Sequence, residues 1–143
     1  LKYDKKTIKS VASLVELHLR PHTFKMGWTD SAVRRYIVDA GEVLEDLNNL
    51  VRADVTTKNK QKAQEIFEKL DEMETRIKEV LEKEEMSKLR PPISGNEIMS
   101  LFDLEPGPKV GMIMKALYEQ RINEGKVSKE EAVKLARETL DNL

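Results

Sequence analysis

Apolar side chains recur along most of this chain at intervals of three and four residues, the period of a helix with one buried face. The clearest run is Ile66, Leu70, Met73, Ile77 and Val80, which is flanked by alternating glutamate and lysine. Apolar and polar positions do not alternate as they would in a half-buried strand. The pattern therefore predicts an all-α fold, a multi-helix array with one long central helix and a small C-terminal helical module.

Prolines, glycines and capping residues divide this pattern into separate helices. Pro21 ends the first helix, because proline cannot continue it, and a loop through Gly27 is expected to follow. Thr29 or Asp30 caps the second helix, and Ser128-Lys-Glu-Glu131 is a capping box that opens the last one. The expected helices span residues 4–20, 31–40, 42–55, 59–89, 96–102, 108–124 and 129–140.

The long helix predicts how the chain is organised. About 30 residues at a rise of about 1.5 Å give a length of about 45 Å, enough to separate two groups of helices. We therefore divide the chain into residues 1–57, a connecting helix 58–89 and a C-terminal module 90–143. The Ile66–Val80 seam has two interpretations: it joins two chains as a coiled coil, which would give a homodimer, or it packs within one chain. Fewer than four heptads favour packing within the chain.

Composition narrows the possible functions. Charged residues make up 36% of the chain but the net charge is −1, so nucleic-acid binding would require a local basic face. The absence of cysteine excludes disulfides and thiolate zinc sites and fits a cytoplasmic location. No apolar run approaches the roughly 20 residues of a membrane span, so no membrane partner is expected. Because the chain starts with leucine, we expect it to be a piece of a longer polypeptide.

The segment from Arg90 to Gly111 predicts a helix, a sharp turn and a second helix that begins at Pro108. The start of that helix presents free backbone N–H groups beside Lys109, an arrangement that suits a phosphate. The alternatives are structural. Pro106-Gly107-Pro108 would be only a tight turn, and Gly111 would only let two helices approach each other.

Basic residues also gather where the second, third and fourth helices meet. One interpretation is a strip that follows a phosphate backbone. The other is an ordinary solvated face, which nearby Glu42, Glu45 and Asp46 favour. The basic residues concerned are Arg34, Arg35, Arg52, Lys58, Lys60 and Lys62.

His18 and Asp54 each stand near a predicted helix end and are two potential metal ligands. Two ligands are too few for a tight site, so a polar pair is the alternative. No Ser/His/Asp arrangement, Walker loop or nucleotidyl-transfer carboxylate cluster occurs in the sequence. This chain alone is therefore not expected to catalyse nucleotide addition.

Several segments together resemble one family, the bacterial CCA tRNA nucleotidyltransferases of the poly(A) polymerase family. The resemblance is to the C-terminal half of these enzymes, especially the longer actinobacterial type, and it covers nearly the whole chain. Each segment is weak alone, but their combination and order are specific. They are Leu14–Arg20, Trp28–Tyr36, Leu50–Asp54, Thr56–Asn59 and Arg90–Gly111.

The resemblance implies that the full-length protein is an enzyme whose N-terminal head, absent here, binds Mg²⁺ and takes ATP and CTP. The longer members also carry an HD phosphohydrolase-like domain, and His18 and Asp54 match the last two of its metal ligands. The resemblance thus implies that residues 1–57 are the C-terminal portion of an HD-like helical domain. A divalent metal is thus implied for the full-length protein. No metal or other cofactor is expected in this chain, since the remaining ligands would precede Leu1.

The resemblance further implies that the helical body and tail hold tRNA, or another RNA 3′ end, by shape and backbone charge. Whether the whole protein would add CCA or poly(A) stays open. The alternatives are a helical dimerisation module and a remnant of an HD phosphohydrolase domain. The residues expected to face RNA are Arg34, Arg35, Arg52, Lys58, Gly107, Lys109 and Gly111.

Overall fold

The structure, a computed structural model, describes residues 3–56, 58–84 and 90–143, with the backbone alone at residues 25 and 26. Every regular element in these ranges is a helix, so the all-α prediction is confirmed. None of these helices is long and apolar enough to cross a membrane. The α-helices are α1 (Lys5–Leu17), α2 (Asp30–Ala40), α3 (Leu44–Ala53), α4 (Lys60–Glu84), α5 (Gly95–Phe102), α6 (Pro108–Glu124) and α7 (Lys129–Asp141).

Local capping bonds explain where most of these helices begin. The side chain of Thr29 accepts a hydrogen bond from the amide of Ala32, and α2 starts there. Ser94 caps α5 in the same way. Ser128 and Glu131 form the reciprocal capping box at α7, as the sequence predicted. Asp4 caps α1, and the hydrogen bonds from Thr7 lower the pKa of its carboxyl group.

Two short 3₁₀ helices replace structure that was expected to be loop or α-helix. The segment Arg20–Met26 is a 3₁₀ helix rather than a loop. Pro21 has no N–H to donate but has a helical φ, so tight turns can continue through it. Gly27, at a φ of 75°, ends the segment. A second 3₁₀ turn, Gly41–Val43, stands where the third helix was expected to begin.

The chain forms two compact units, Leu1–Val80 and Leu81–Leu143. The division into 1–57, 58–89 and 90–143 stays a prediction about domain organisation, and residues 85–89 of the expected long helix lie outside the described ranges. In the first unit, α1, α2 and α3 contact one another. The unit's buried core includes Leu17, Phe24, Val33, Tyr36, Ile37, Leu47, Val51, Leu70, Met73 and Ile77.

The apolar seam of α4 is covered within a single chain. Leu70, Met73, Ile77 and Val80 are all buried, and Ile66 is half-buried. This agrees with packing inside the chain, and those side chains are not available for an intermolecular coiled coil. A homodimer through another surface stays a prediction.

The second unit packs α5, α6 and α7 around a small core of its own. Ile98 of α5 and Ile113 and Leu117 of α6 are fully buried there, together with Ile93. Ala132 and Ala136 are also fully buried, and such small side chains let α7 lie close to α6. At the edge of this core Arg121 forms a buried ion pair with Glu84, with 3.8 Å between Nη1 and Oε2.

Leu117 is 1% exposed, and shortening it should destabilise this core. We expect Leu117→Ala to lower the free energy of unfolding by about 2–5 kcal/mol, because it removes buried apolar surface and leaves a cavity. Urea denaturation followed by circular dichroism measures the change. Lys115→Ala, at an exposed position of the same helix, should stay within about 0.5 kcal/mol. Equal effects for the two variants would contradict the assignment of this core.

Candidate nucleic-acid interface

The first turn of α6 is an open helix start without a side-chain cap. Gly107 is the N-cap residue and has no side chain to offer, and Pro108 occupies the first helical position. The amide of Gly111 already donates to the Gly107 carbonyl oxygen, at 3.3 Å. The amides of Lys109 and Val110 are therefore the donors that face outward from the helix end. The first turn contains no acidic residue, so nothing there opposes an anion.

Three other helix starts, those of α2, α5 and α7, are closed by a side chain. Thr29, Ser94 and Ser128 each place a hydroxyl oxygen on the amide group that an incoming anion would otherwise contact. Only α6, among the four, combines an N-cap glycine with a neighbouring lysine that is exposed. The contrast makes α6 the helix start best suited to bind a phosphate from outside the chain.

Neither backbone conformation nor packing requires glycine at these two positions, although the segment Pro106-Gly107-Pro108 does form a bend. Gly107 has a φ of 166°, an extended conformation that any residue adopts, so the turn does not require glycine. A Cβ atom added at Gly107 or at Gly111 would meet no heavy atom within 4 Å. Gly111 therefore does not serve a close helix contact. What the two glycines do provide is open space directly beside the exposed amides.

The other predicted RNA-facing residues do not form one exposed strip. Arg34 is only 5% exposed and Arg35 is half-buried on α2, and both already interact with other groups of the chain. Lys58 is exposed in the loop before α4, and Lys60 and Lys62 are exposed in its first turn. The arginines thus belong largely to the packed interior, whereas the lysines face solvent.

Arg52 is engaged in a network with two acidic residues of α4. Its Nη2 atom lies 2.5 Å from Oδ1 of Asp71 and 2.8 Å from Oε2 of Glu74, and its Nε donates to Glu74 at 3.0 Å. The hydrogen bond to Glu74 raises the pKa of Arg52 further above its ordinary value. A guanidinium held by two carboxylates is less available to a phosphate. This network attaches the end of α3 to α4.

A second arginine, which the sequence did not single out, attaches α4 to the start of α2. Arg76 donates to the backbone carbonyl of Trp28 and pairs with Asp30 at 2.5 Å. The Trp28 ring in turn packs against Tyr36, with 5.2 Å between ring centroids. In the sequence, the indication of this role was the position of Arg76 next to Ile77, a residue of the predicted apolar seam.

His18 and Asp54 do not make a complete metal site. The two residues are the C-cap residues of α1 and α3, respectively. His18 Nδ1 donates to the carbonyl of Val15 at 2.6 Å, which leaves Nε2 as the ring atom able to accept. Within the described residues no three His, Asp or Glu side chains converge as metal ligands would. The residues present do not fit a bound metal, and the role of this pair as remnant ligands stays a prediction.

Comparison with known proteins identifies the family. The family described as tRNA nucleotidyltransferase domain 2 matches residues 1–136, almost the whole chain. The chain belongs to this tRNA nucleotidyltransferase family. The resemblance seen in the sequence segments is therefore confirmed.

Two curated relatives support the same assignment. The chain is 35% identical over 134 residues to a CC-adding tRNA nucleotidyltransferase of Thermus thermophilus. This alignment covers 92% of the present chain and 28% of the relative. It is 33% identical over 123 residues to an A-adding tRNA nucleotidyltransferase of Deinococcus radiodurans. This alignment covers 85% of the present chain and 27% of the relative. The chain thus spans just over a quarter of each relative, in the C-terminal part. No solved structure matches it.

The network around Arg52 in this tRNA nucleotidyltransferase domain should contribute measurably to stability. A double-mutant cycle of Arg52→Gln and Glu74→Gln is expected to give a coupling energy of about 0.5–1 kcal/mol, because the contact is bidentate and partly shielded from water. Chemical denaturation of the four proteins supplies the values. The exposed pair Lys69–Glu72, with 3.5 Å between its charged atoms, is the control and should couple more weakly. Coupling no larger than in this control would show that the network does not secure α3 to α4.

Proposed function

We propose that this chain is the part of a tRNA nucleotidyltransferase that binds tRNA and holds it in position. The complete protein would add nucleotides to the 3′ end of the tRNA. In this proposal the nucleotide chemistry belongs to an N-terminal head that binds Mg²⁺ and uses CTP or ATP. The present chain supplies affinity and orientation, which raise the rate by presenting the RNA end to the head in one geometry.

The observation that carries the proposal is the open start of α6. Two glycines leave room for a phosphate, two amides and Lys109 supply donors, and the packing of the chain gives no other reason for those glycines. A site of this kind recognises a backbone phosphate and not a base. That suits folded RNA, whose deep and narrow major groove hides the base edges from side chains.

We assign the proposed RNA contacts unequally among the basic residues. Lys109, with Gly107 and Gly111 beside it, forms the principal contact, because all three are exposed. Lys58 is the best candidate in the first unit for the same reason, and half-buried Arg35 is a weaker one. Arg34 and Arg52 are better explained as parts of the fold, because one is buried and the other is paired with two carboxylates.

The activities of the two relatives favour tRNA as the substrate over other RNAs that would receive a poly(A) tail. One relative adds CC and the other adds A to tRNA, so each performs part of the synthesis of a CCA end. Which of these nucleotides the complete protein would add depends on the head and not on this chain. A cytoplasmic location, where tRNA is processed, belongs to the same proposal.

Binding of a tRNA transcript as a function of salt tests the proposed role directly. We expect the logarithm of the binding constant to fall linearly with the logarithm of the salt concentration, as contacts with phosphates require. Lys109→Glu should weaken binding about three- to tenfold and reduce the slope by about one. Lys134→Glu, the same charge change at an exposed position of α7, is the matched control and should have less effect. No binding at low salt, or equal effects of both substitutions, would overturn the proposal.

Substitution of Gly111 separates an RNA contact from a structural role. Gly111→Leu should raise the free energy of unfolding by about 0.5–1 kcal/mol, because glycine is a poor helix former and a Cβ atom at this position meets no heavy atom within 4 Å. The same side chain should obstruct the approach of a phosphate and weaken tRNA binding. Thr75→Leu, at an exposed position of α4, is the control for added bulk and should leave binding unchanged. A Gly111→Leu protein with undiminished tRNA affinity would exclude the α6 site.

A further inference from the structure

The first helix exposes a row of apolar side chains. Ile8, Val11 and Val15 are 57%, 52% and 61% exposed, and they recur at the spacing of one helix face. Tyr3 before the helix and Leu19 after it extend the row and are also exposed. Single exposed apolar residues are ordinary, but a contiguous row along a whole helix marks an interaction surface. We call this row the α1 apolar face.

The side of α1 that packs on the rest of the first unit is less apolar than the exposed side. Ser10, Ser13, Leu14 and Leu17 are the residues of α1 with reduced exposure, and two of the four are serines. Charged residues Lys5, Lys9 and Glu16 form a third, narrow strip between the two. A further exposed lysine, Lys6, stands at the start of the helix on the side of Ser10 and Ser13. The pattern is that of a helix packed on two sides, of which the described residues cover one.

A groove runs along the α1 apolar face. Its volume is ≈ 540 Å³, and the described residues that line it are Tyr3, Thr7, Ile8, Val11 and Ala12. All five lining residues are uncharged. The groove therefore suits apolar side chains of another helix and offers no charged group to a nucleic acid.

We propose that the α1 apolar face is the docking surface for the part of a longer tRNA nucleotidyltransferase chain that precedes this region. The occupant is an apolar helical surface of that preceding part. The inference rests on one part of the proposed function, namely that this chain belongs to a longer enzyme. It adds the place where the two parts meet.

Two observations select this occupant over a separate protein. The curated relatives extend far beyond the matched region, which lies in their C-terminal part, so in such a protein most of the chain precedes this region. The surface is also small. A helix of 13 residues is about 20 Å long and one helix wide, well short of the roughly 800 Å² per partner in a stable complex of separate molecules. A covalently linked neighbour needs less area, because its effective concentration is high.

Cysteine labelling tests the proposal. Because the chain contains no cysteine, an introduced one is its single reactive thiol. Val15→Cys reports on the apolar face, and Lys9→Cys on the charged strip of the same helix is the matched control. Each is placed in the 143-residue chain and in a chimaera. The chimaera is the T. thermophilus CC-adding enzyme with its matched region replaced by this chain and any cysteines elsewhere replaced by serine. The reaction rate with a thiol reagent is then measured without tRNA.

In the 143-residue chain the two cysteines should react at similar rates. In the chimaera Val15→Cys should react at least about tenfold more slowly than Lys9→Cys, because a docked surface must open locally before the reagent can enter. Similar rates in a folded chimaera would overturn the proposal. If the chimaera does not fold, the same two cysteines at the aligned positions of the intact T. thermophilus enzyme give the answer.

Two further measurements separate the possible failures. Binding of tRNA by the same chimaera tests the proposed function independently. If Val15→Cys is protected but tRNA does not bind, the proposed function alone is wrong. If tRNA binds but Val15→Cys is not protected, the proposed docking surface alone is wrong. Sedimentation equilibrium of the 143-residue chain examines a second copy as occupant. We expect no dimer that depends on this face, and a dimer that Val15→Lys dissociates would overturn the proposal in favour of self-association.

Discussion

The first unit depends on the burial of one narrow apolar seam on a highly charged helix. Apart from that seam α4 is mostly glutamate, lysine and other polar residues, so it has only one face to pack. Leu70, Met73 and Ile77 fill that face with little residual exposure. Apolar packing alone permits a helix to slide or rotate. Here two guanidinium groups select the position. Arg52 of α3 donates to Glu74 of α4, and Arg76 of α4 donates to Trp28 and Asp30 at the start of α2.

This use of arginine changes how the basic residues are interpreted. A guanidinium has a rigid fork of donors that fits a carboxylate, so it can be satisfied within a fold. Arg52 and Arg76 do so here. A lysine ammonium on a flexible stem stays hydrated, and Lys58 and Lys109 are exposed accordingly. A count of basic residues in the sequence therefore overestimates the surface available to RNA.

Two features of the chain conflict with local rules for a self-contained fold, and the two proposed sites would account for them. The α6 helix begins with an uncapped glycine and carries a second glycine with nothing beside it. The α1 helix turns a continuous apolar row toward solvent. Natural sequences depart from local rules mainly where function requires it. The first departure suits an anion and the second suits an apolar surface, so the two sites differ in the chemistry of their occupants.

The sequence by itself determined the elements whose causes lie within a few residues. The all-α class, the caps at Thr29, Ser94 and Ser128 and the start of α6 at Pro108 follow from contacts of at most four positions along the chain. The segment resemblance added the family. The tertiary structure alone decided which apolar stripe is covered and which arginine is paired. Those outcomes depend on partners that are distant in the sequence. Arg52 and Glu74 are 22 residues apart, and Arg76 and Trp28 are 48 residues apart. Periodicity shows that a helix has an apolar face, but only the packed neighbours determine whether that face meets the core or an external partner.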